Sequence, residues 1–101
     1  MDIDVTNLTT RPKIDVDKLF VSVYLTYSLH EQGFKGFAKS ISSFDSKGPF
    51  DVLPAHESFV TEFTDKIEIV PVEGEKISYD QVRGVLEIAD NVARIFLEEA
   101  K

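Results

Sequence analysis

The sequence predicts one small β-rich domain, and three features predict it. Residues 18–28 are dense in β-branched and aromatic side chains. There Val21, Val23 and Leu25 alternate with Ser22, Tyr24 and Thr26, the period of two of a strand with one buried face. Residues 65–80 set Ile67 and Ile69 around Glu68, offer turn chemistry at Glu73–Gly74–Glu75, and return with Ile77 and Tyr79, which is the pattern of a hairpin. A chain of 101 residues has room for a single core, and its short connecting stretches suit a compact sandwich.

Taken in order, residues 1–17 read as an irregular extension, polar and broken at Pro12, ahead of a domain over residues 18–101. The strand at 18–28 comes next. The chain turns at Gly33, a second short strand follows Gly36, and Asp45 to Pro49 has the composition of a loop. Pro49 and Pro54 each lack an N–H and fix φ, and each pushes its predecessor away from helical geometry. Between them only Phe50 to Leu53 is free to be a strand, which leaves Pro54–Ala55–His56 as a stiff bend. Phe59 and Thr61 then share one face of an extended run, with Val60 and Glu62 on the other. Pro71 marks an edge or a bulge. Residues 79–101 support two readings. Val82, Val85, Leu86, Ala89, Val92, Ala93 and Phe96 fall on one helical face, with Asp80 as a cap. A hairpin turning at Asp90–Asn91 instead accounts for Ile88, Ile95 and Leu97, which the helical stripe leaves out.

Composition removes several function classes. No cysteine is present, so disulfides, zinc thiolates and thiol nucleophiles have no residue to form them. The first twenty residues hold four aspartates and no apolar block, unlike a secretory leader, and no apolar run approaches the ~20 residues of a membrane span. A net charge of −7 disfavours nucleic acid and anionic lipid as partners and favours a basic protein surface. His30 and His56 are far apart and lack metal-ligand spacing, and no metal or cofactor is expected. His56 and Ser58 lie two apart beside Asp51 and Glu57, but nothing resembles a nucleophile elbow. A small hydrolase is the remote reading, and bracing of the bend by His56 is the simpler one. No small-molecule substrate site is indicated. The proline-braced projection remains, and its stiffness suits a surface that docks a protein with little ordering cost.

Several blocks resemble the amino-terminal domain of the epsilon subunit of F-type rotary ATP synthases. They are Phe34, Gly36, Ala38, Ser40 and Ile41; then Gly48, Phe50, Val52, Leu53, Pro54, His56 and Phe59; then Gly84-Val85-Leu86-Glu87-Ile88 ahead of Asp90-Asn91. The resemblance runs from about Leu19 to Lys101, beyond which the family continues into a two-helix hairpin. It implies an all-β fold, a flattened antiparallel β-sandwich of about ten strands, and so a terminal hairpin rather than a helix. It implies a non-catalytic rotor-stalk subunit, clamped to the gamma subunit and resting on the c-ring, peripheral to the inner face of the cell membrane and not inserted in it. By the same resemblance Leu53, Pro54, His56 and Thr61 face gamma, and Ser46, Lys47, Gly48 and Pro49 face the ring. Asp51, Ala55 and Arg83 stand where the family carries glycine, and Lys47 and Pro49 where it often carries an acid. A stand-alone interaction module built on the same domain is the alternative.

Overall fold

The computed structural model describes residues 17–28, 31 and 33–99. Residues 1–16 of the expected extension and His30 lie outside them. Among the described residues there are seven strands and no helix: β1 (Leu19–Leu25), β2 (Lys35–Asp45), β3 (Gly48–Val52), β4 (Phe59–Pro71), β5 (Ile77–Asp80), β6 (Val82–Ala89) and β7 (Val92–Glu99). Hydrogen bonding runs β3-β2-β1-β7-β6-β4-β5, and β2 also pairs with β4. That last pairing closes β2, β1, β7, β6 and β4 into a five-strand barrel, with β3 and β5 as flanking strands.

Two expectations change. The chain is all-β, but it holds seven strands rather than about ten, because β2 and β4 each do the work of two. The first half of β2 pairs with β1 and its second half with β3. The early part of β4 pairs with β6 and the later part with β5. Nor is the sheet wholly antiparallel: β1 runs parallel to β7 from Phe20↔Val92 to Leu25↔Leu97. Direction cannot alternate around a ring with an odd number of strands. Four antiparallel contacts therefore force one parallel seam. The seam is fastened at both ends, where the Phe20 N–H donates to the Asn91 carbonyl at 2.8 Å and the Thr26 N–H to the Leu97 carbonyl at 3.0 Å.

The core follows the strand period. Leu19, Val21 and Val23 from β1, Ile41 from β2, Phe63, Ile67 and Ile69 from β4, Leu86 and Ile88 from β6, and Ala93, Ile95 and Leu97 from β7 are buried together. Ile88, Ile95 and Leu97 thus all lie in the core, whereas Ala89 and Phe96 of the helical stripe are exposed. The terminal segment is a hairpin. Its turn residues Asp90 and Asn91 have φ of 52° and 63°, the pair of left-handed conformations that a two-residue type I′ turn requires.

β4 bends where its partners change. Asp65 has φ 75° at a register shift against β2 between Ser43 and Phe44, a bulge that turns the strand. Ser43, buried there, donates its hydroxyl to the Lys66 carbonyl at 2.6 Å. Opposite, Gln81 at φ 57° makes the matching break between β5 and β6. Pro71 closes β4 against Ala38 beside a second register shift, so its missing N–H falls at a bulge. Gly84 is fixed by close approach. A Cβ there would sit 1.9 Å from the Phe96 carbonyl oxygen and 3.0 Å from the Phe63 ring, so β6 meets β7 and the covering ring only without a side chain.

Candidate functional site

The bend is a type II turn. Pro54 occupies its second position, the His56 N–H donates to the Leu53 carbonyl at 3.2 Å, and Ala55 takes the third position with φ 69°. That third position demands positive φ and normally takes glycine. Leu53 is 57% exposed at the lip of the turn, and Pro54 and His56 are half-buried behind it. The turn is attached to the barrel through Asn91, whose side-chain oxygen accepts the Ala55 N–H at 2.7 Å.

His56 is held in place by its neighbours. Its Nδ1 lies 2.8 Å from the Glu57 carbonyl, which only accepts, so the bond places the ring proton on Nδ1. The imidazole leans on Phe59 at 4.8 Å, and Phe59 meets Phe50 edge-on at 6.3 Å. Nδ1 is thus bonded to a main-chain oxygen rather than to the Ser58 hydroxyl. Among the described residues no three His, Cys, Asp or Glu side chains gather as a metal site would need. The arrangement braces a bend.

The loop before it is a second rigid projection. Asp45 and Gly48 pair across the β2–β3 turn. The Asp45 carboxylate accepts the Lys47 N–H at 2.9 Å through Oδ1, and Gly48 takes φ 118°, a conformation costly for any residue with a side chain. Ser46, Lys47 and Pro49 are exposed around it. Asp51 accepts the Ser42 hydroxyl at 2.5 Å across the β2–β3 pair and so stiffens the base of this loop.

Leu53, Pro54 and His56 therefore form one surface, and Ser46, Lys47, Gly48 and Pro49 another. Thr61 belongs with the second, because its hydroxyl donates to Asp45 Oδ2 at 3.0 Å and ties β4 to the loop. Two linking residues escaped the sequence reading. Asp45 had a readable signal in its Asp-x-x-Gly spacing. Asn91 had only its tolerance of positive φ, which does not reveal what its amide would reach.

No family model matches the sequence, and no curated protein is significantly similar to it. Solved structures are similar in fold. A chain in the structure of Euglena gracilis mitochondrial ATP synthase, OSCP/F1/c-ring in rotational state 1, matches with TM-score 0.66 and 15% identity, over 100% of this chain and 66% of that one. A chain in the Tetrahymena thermophila mitochondrial ATP synthase central stalk/c-ring structure matches with TM-score 0.65 and 12% identity, over 81% of this chain and 64% of that one. The chain spans just under two thirds of the length of these neighbours, and at such identities the likeness establishes a shared fold: this all-β domain is built like chains of rotary ATP synthase stalk and c-ring assemblies.

Proposed function

We propose that the chain is a non-catalytic central-stalk subunit of a rotary proton-translocating ATP synthase, an epsilon-type domain at the inner face of the energised membrane. The turn at Leu53, Pro54 and His56 docks on the gamma subunit, and the loop at Ser46, Lys47, Gly48 and Pro49 faces the c-ring, with Thr61 bracing that loop. The observation that carries this reading is the fold likeness over the whole chain to a chain of an ATP synthase assembly. It supports the same family that the Leu53–Pro54–x–His56 block suggests independently. Torque transmission asks for stiff backbone and apolar anchors rather than reactive groups. Both projections are pinned by side-chain hydrogen bonds into the barrel wall.

Titration of the folded chain with purified gamma subunit tests the proposal. A stable complex is expected at micromolar concentrations, and no complex at tens of micromolar would refute it. Ala55 in place of the turn glycine, and Lys47 and Pro49 in place of an acid, favour a second reading, an interaction module of another assembly. The same titration separates the two.

A further inference from the structure

The chain ahead of β1 cannot continue straight. β1 and β3 share one edge of β2, with Leu19 opposite Ala38 and Val52 opposite Ile41, while β4 holds the other edge. Prolonged as a strand, β1 would run into the end of β3. The core fills the inside of the barrel, so the way out is the outer surface of β1 and β2. Asp17, the last residue before it, lies in a turn.

That surface is basic and aromatic, in a chain of net charge −7. Phe20 meets Phe37 edge-on at 5.2 Å, and the Lys18 ammonium lies 5.8 Å from the Phe37 ring centroid. Lys35 and Lys39 flank Phe37 along β2, both exposed and without an ion pair among the described residues. Beside Phe37 the surface sinks into a groove of about 350 Å³, walled by Lys18, Phe34, Phe37, Pro71, Val72 and Glu73. β2 runs between β1 and β4, so Lys18 and Glu73 enter this groove from opposite sides.

The extension carries matching chemistry in matching order. Counted outward from the barrel it runs Val16, Asp15, Ile14, Lys13, Pro12, Arg11, an acid first, then an aliphatic side chain, then cations. Counted outward from β1, the surface offers Lys18 and Lys39, then the Phe34 and Phe37 rings, then Glu73. Reach is sufficient. Phe37 pairs with Phe20, just inside β1, while four extended residues span about 13 Å. The groove is at the small end of the range that takes free ligands, and it holds a few side chains rather than a globular partner. A segment tethered beside it has an effective concentration on the order of millimolar, which any other occupant has to outcompete.

We infer that this groove is the docking site of the chain's own residues 11–16, with Ile14 on the Phe34 and Phe37 rings, Asp15 against Lys39, and Lys13 against Glu73. The strap fastens the start of β1 and withholds a basic, aromatic patch from acidic partners. Opposed charges at the two sides of the groove fix the direction in which it lies. The assignment does not depend on the proposed stalk role.

The sequence has no cysteine, so Thr10→Cys gives the full chain a single site for a nitroxide spin label. The label is expected to erase the amide signals of Phe37, Val72 and Glu73 and to leave those of Leu53 and Val60. Adding Ile14→Asp, or Asp15→Lys, should bring the erased signals back. Adding Lys39→Asp to Asp15→Lys should erase them again, because the exchanged pair attracts as the native one does. Position 39 is exposed and positions 14 and 15 lie outside the barrel core, so an unchanged melting curve is expected of every variant. Equal losses at Leu53 and Val72, or losses that Ile14→Asp leaves in place, would overturn the inference. An exchanged pair that fails to erase the signals again would overturn the contact between Asp15 and Lys39. Losses in an isotope-enriched chain mixed with an unenriched, labelled one would give the groove to the extension of a second copy, and the strap would fall.

Discussion

Two turns meet at one end of the barrel and solve the same backbone problem differently. The β6–β7 turn needs two left-handed residues and uses Asp90 and Asn91, types that reach that region at modest cost. The turn at Leu53–His56 needs one and uses Ala55, a residue whose Cβ makes the conformation cost about 1–2 kcal/mol. The bond from the Ala55 N–H to the Asn91 amide oxygen joins them. The relaxed turn therefore holds the strained one in place. A stiff projection can be kept on a small barrel by lending it the stability of a hairpin that is already secure.

The largest effect is expected where both turns are disturbed at once. Asn91→Ala removes the acceptor of the Ala55 N–H and also puts a Cβ-bearing residue with no polar side chain at φ 63°. The orphaned donor costs about 1–3 kcal/mol and the backbone about another 1. Urea unfolding should show a loss of about 2–4 kcal/mol in total. Asn91→Gly keeps the backbone freedom and deletes the bridge, so it should lose about 1 kcal/mol less. Equal losses for the two variants would mean that the amide bridge carries little.

This asymmetry also explains what could be read from the sequence. Period two located β1, the start of β4 and the β4–β5 hairpin, because alternation is a local property and Val21, Val23, Ile67 and Ile69 are all buried as it predicts. The terminal hairpin was not decided by pattern, since Val82, Leu86 and Ala93 satisfy a helix and a strand equally. The family resemblance pointed to the strand reading. The barrel closure was out of reach, because the β1–β7 seam joins Phe20 to Val92, residues with no local signal of each other. Of the candidate site, the prolines announced both projections. The side chains that fasten them, Asp45 and Asn91, act across the fold, and so does the bond from Thr61 to Asp45, which no local pattern announces.

A smaller effect tests whether stiffness at Leu53–His56 serves docking. Pro54→Gly keeps the turn accessible but frees the chain before binding, which raises the ordering cost by about 1 kcal/mol or slightly less. The expected result is a loss of about fivefold in affinity for gamma with a similar or smaller loss of stability. If stability falls and affinity does not, the turn is a piece of the barrel's own structure and not its grip.

The smallest effect is the most discriminating, because its sign is opposite. Ala55→Gly relieves the left-handed strain at φ 69° while adding freedom to the unfolded chain, and the first term is the larger. The variant should be more stable by about 0.5–1 kcal/mol, in contrast to the loss from Asn91→Gly one hydrogen bond away. Glycine is also the turn residue of the family that the sequence resembles. If the strain only reflects drift in a working stalk subunit, affinity for gamma should hold or improve along with stability. If Ala55 instead contacts a different partner through its methyl group, stability should rise while gamma binding stays weak, and the second reading of the domain would take precedence. A fall in stability would show that Asn91 has already relaxed the turn, and that the contrast between the two turns is one of sequence and not of energy.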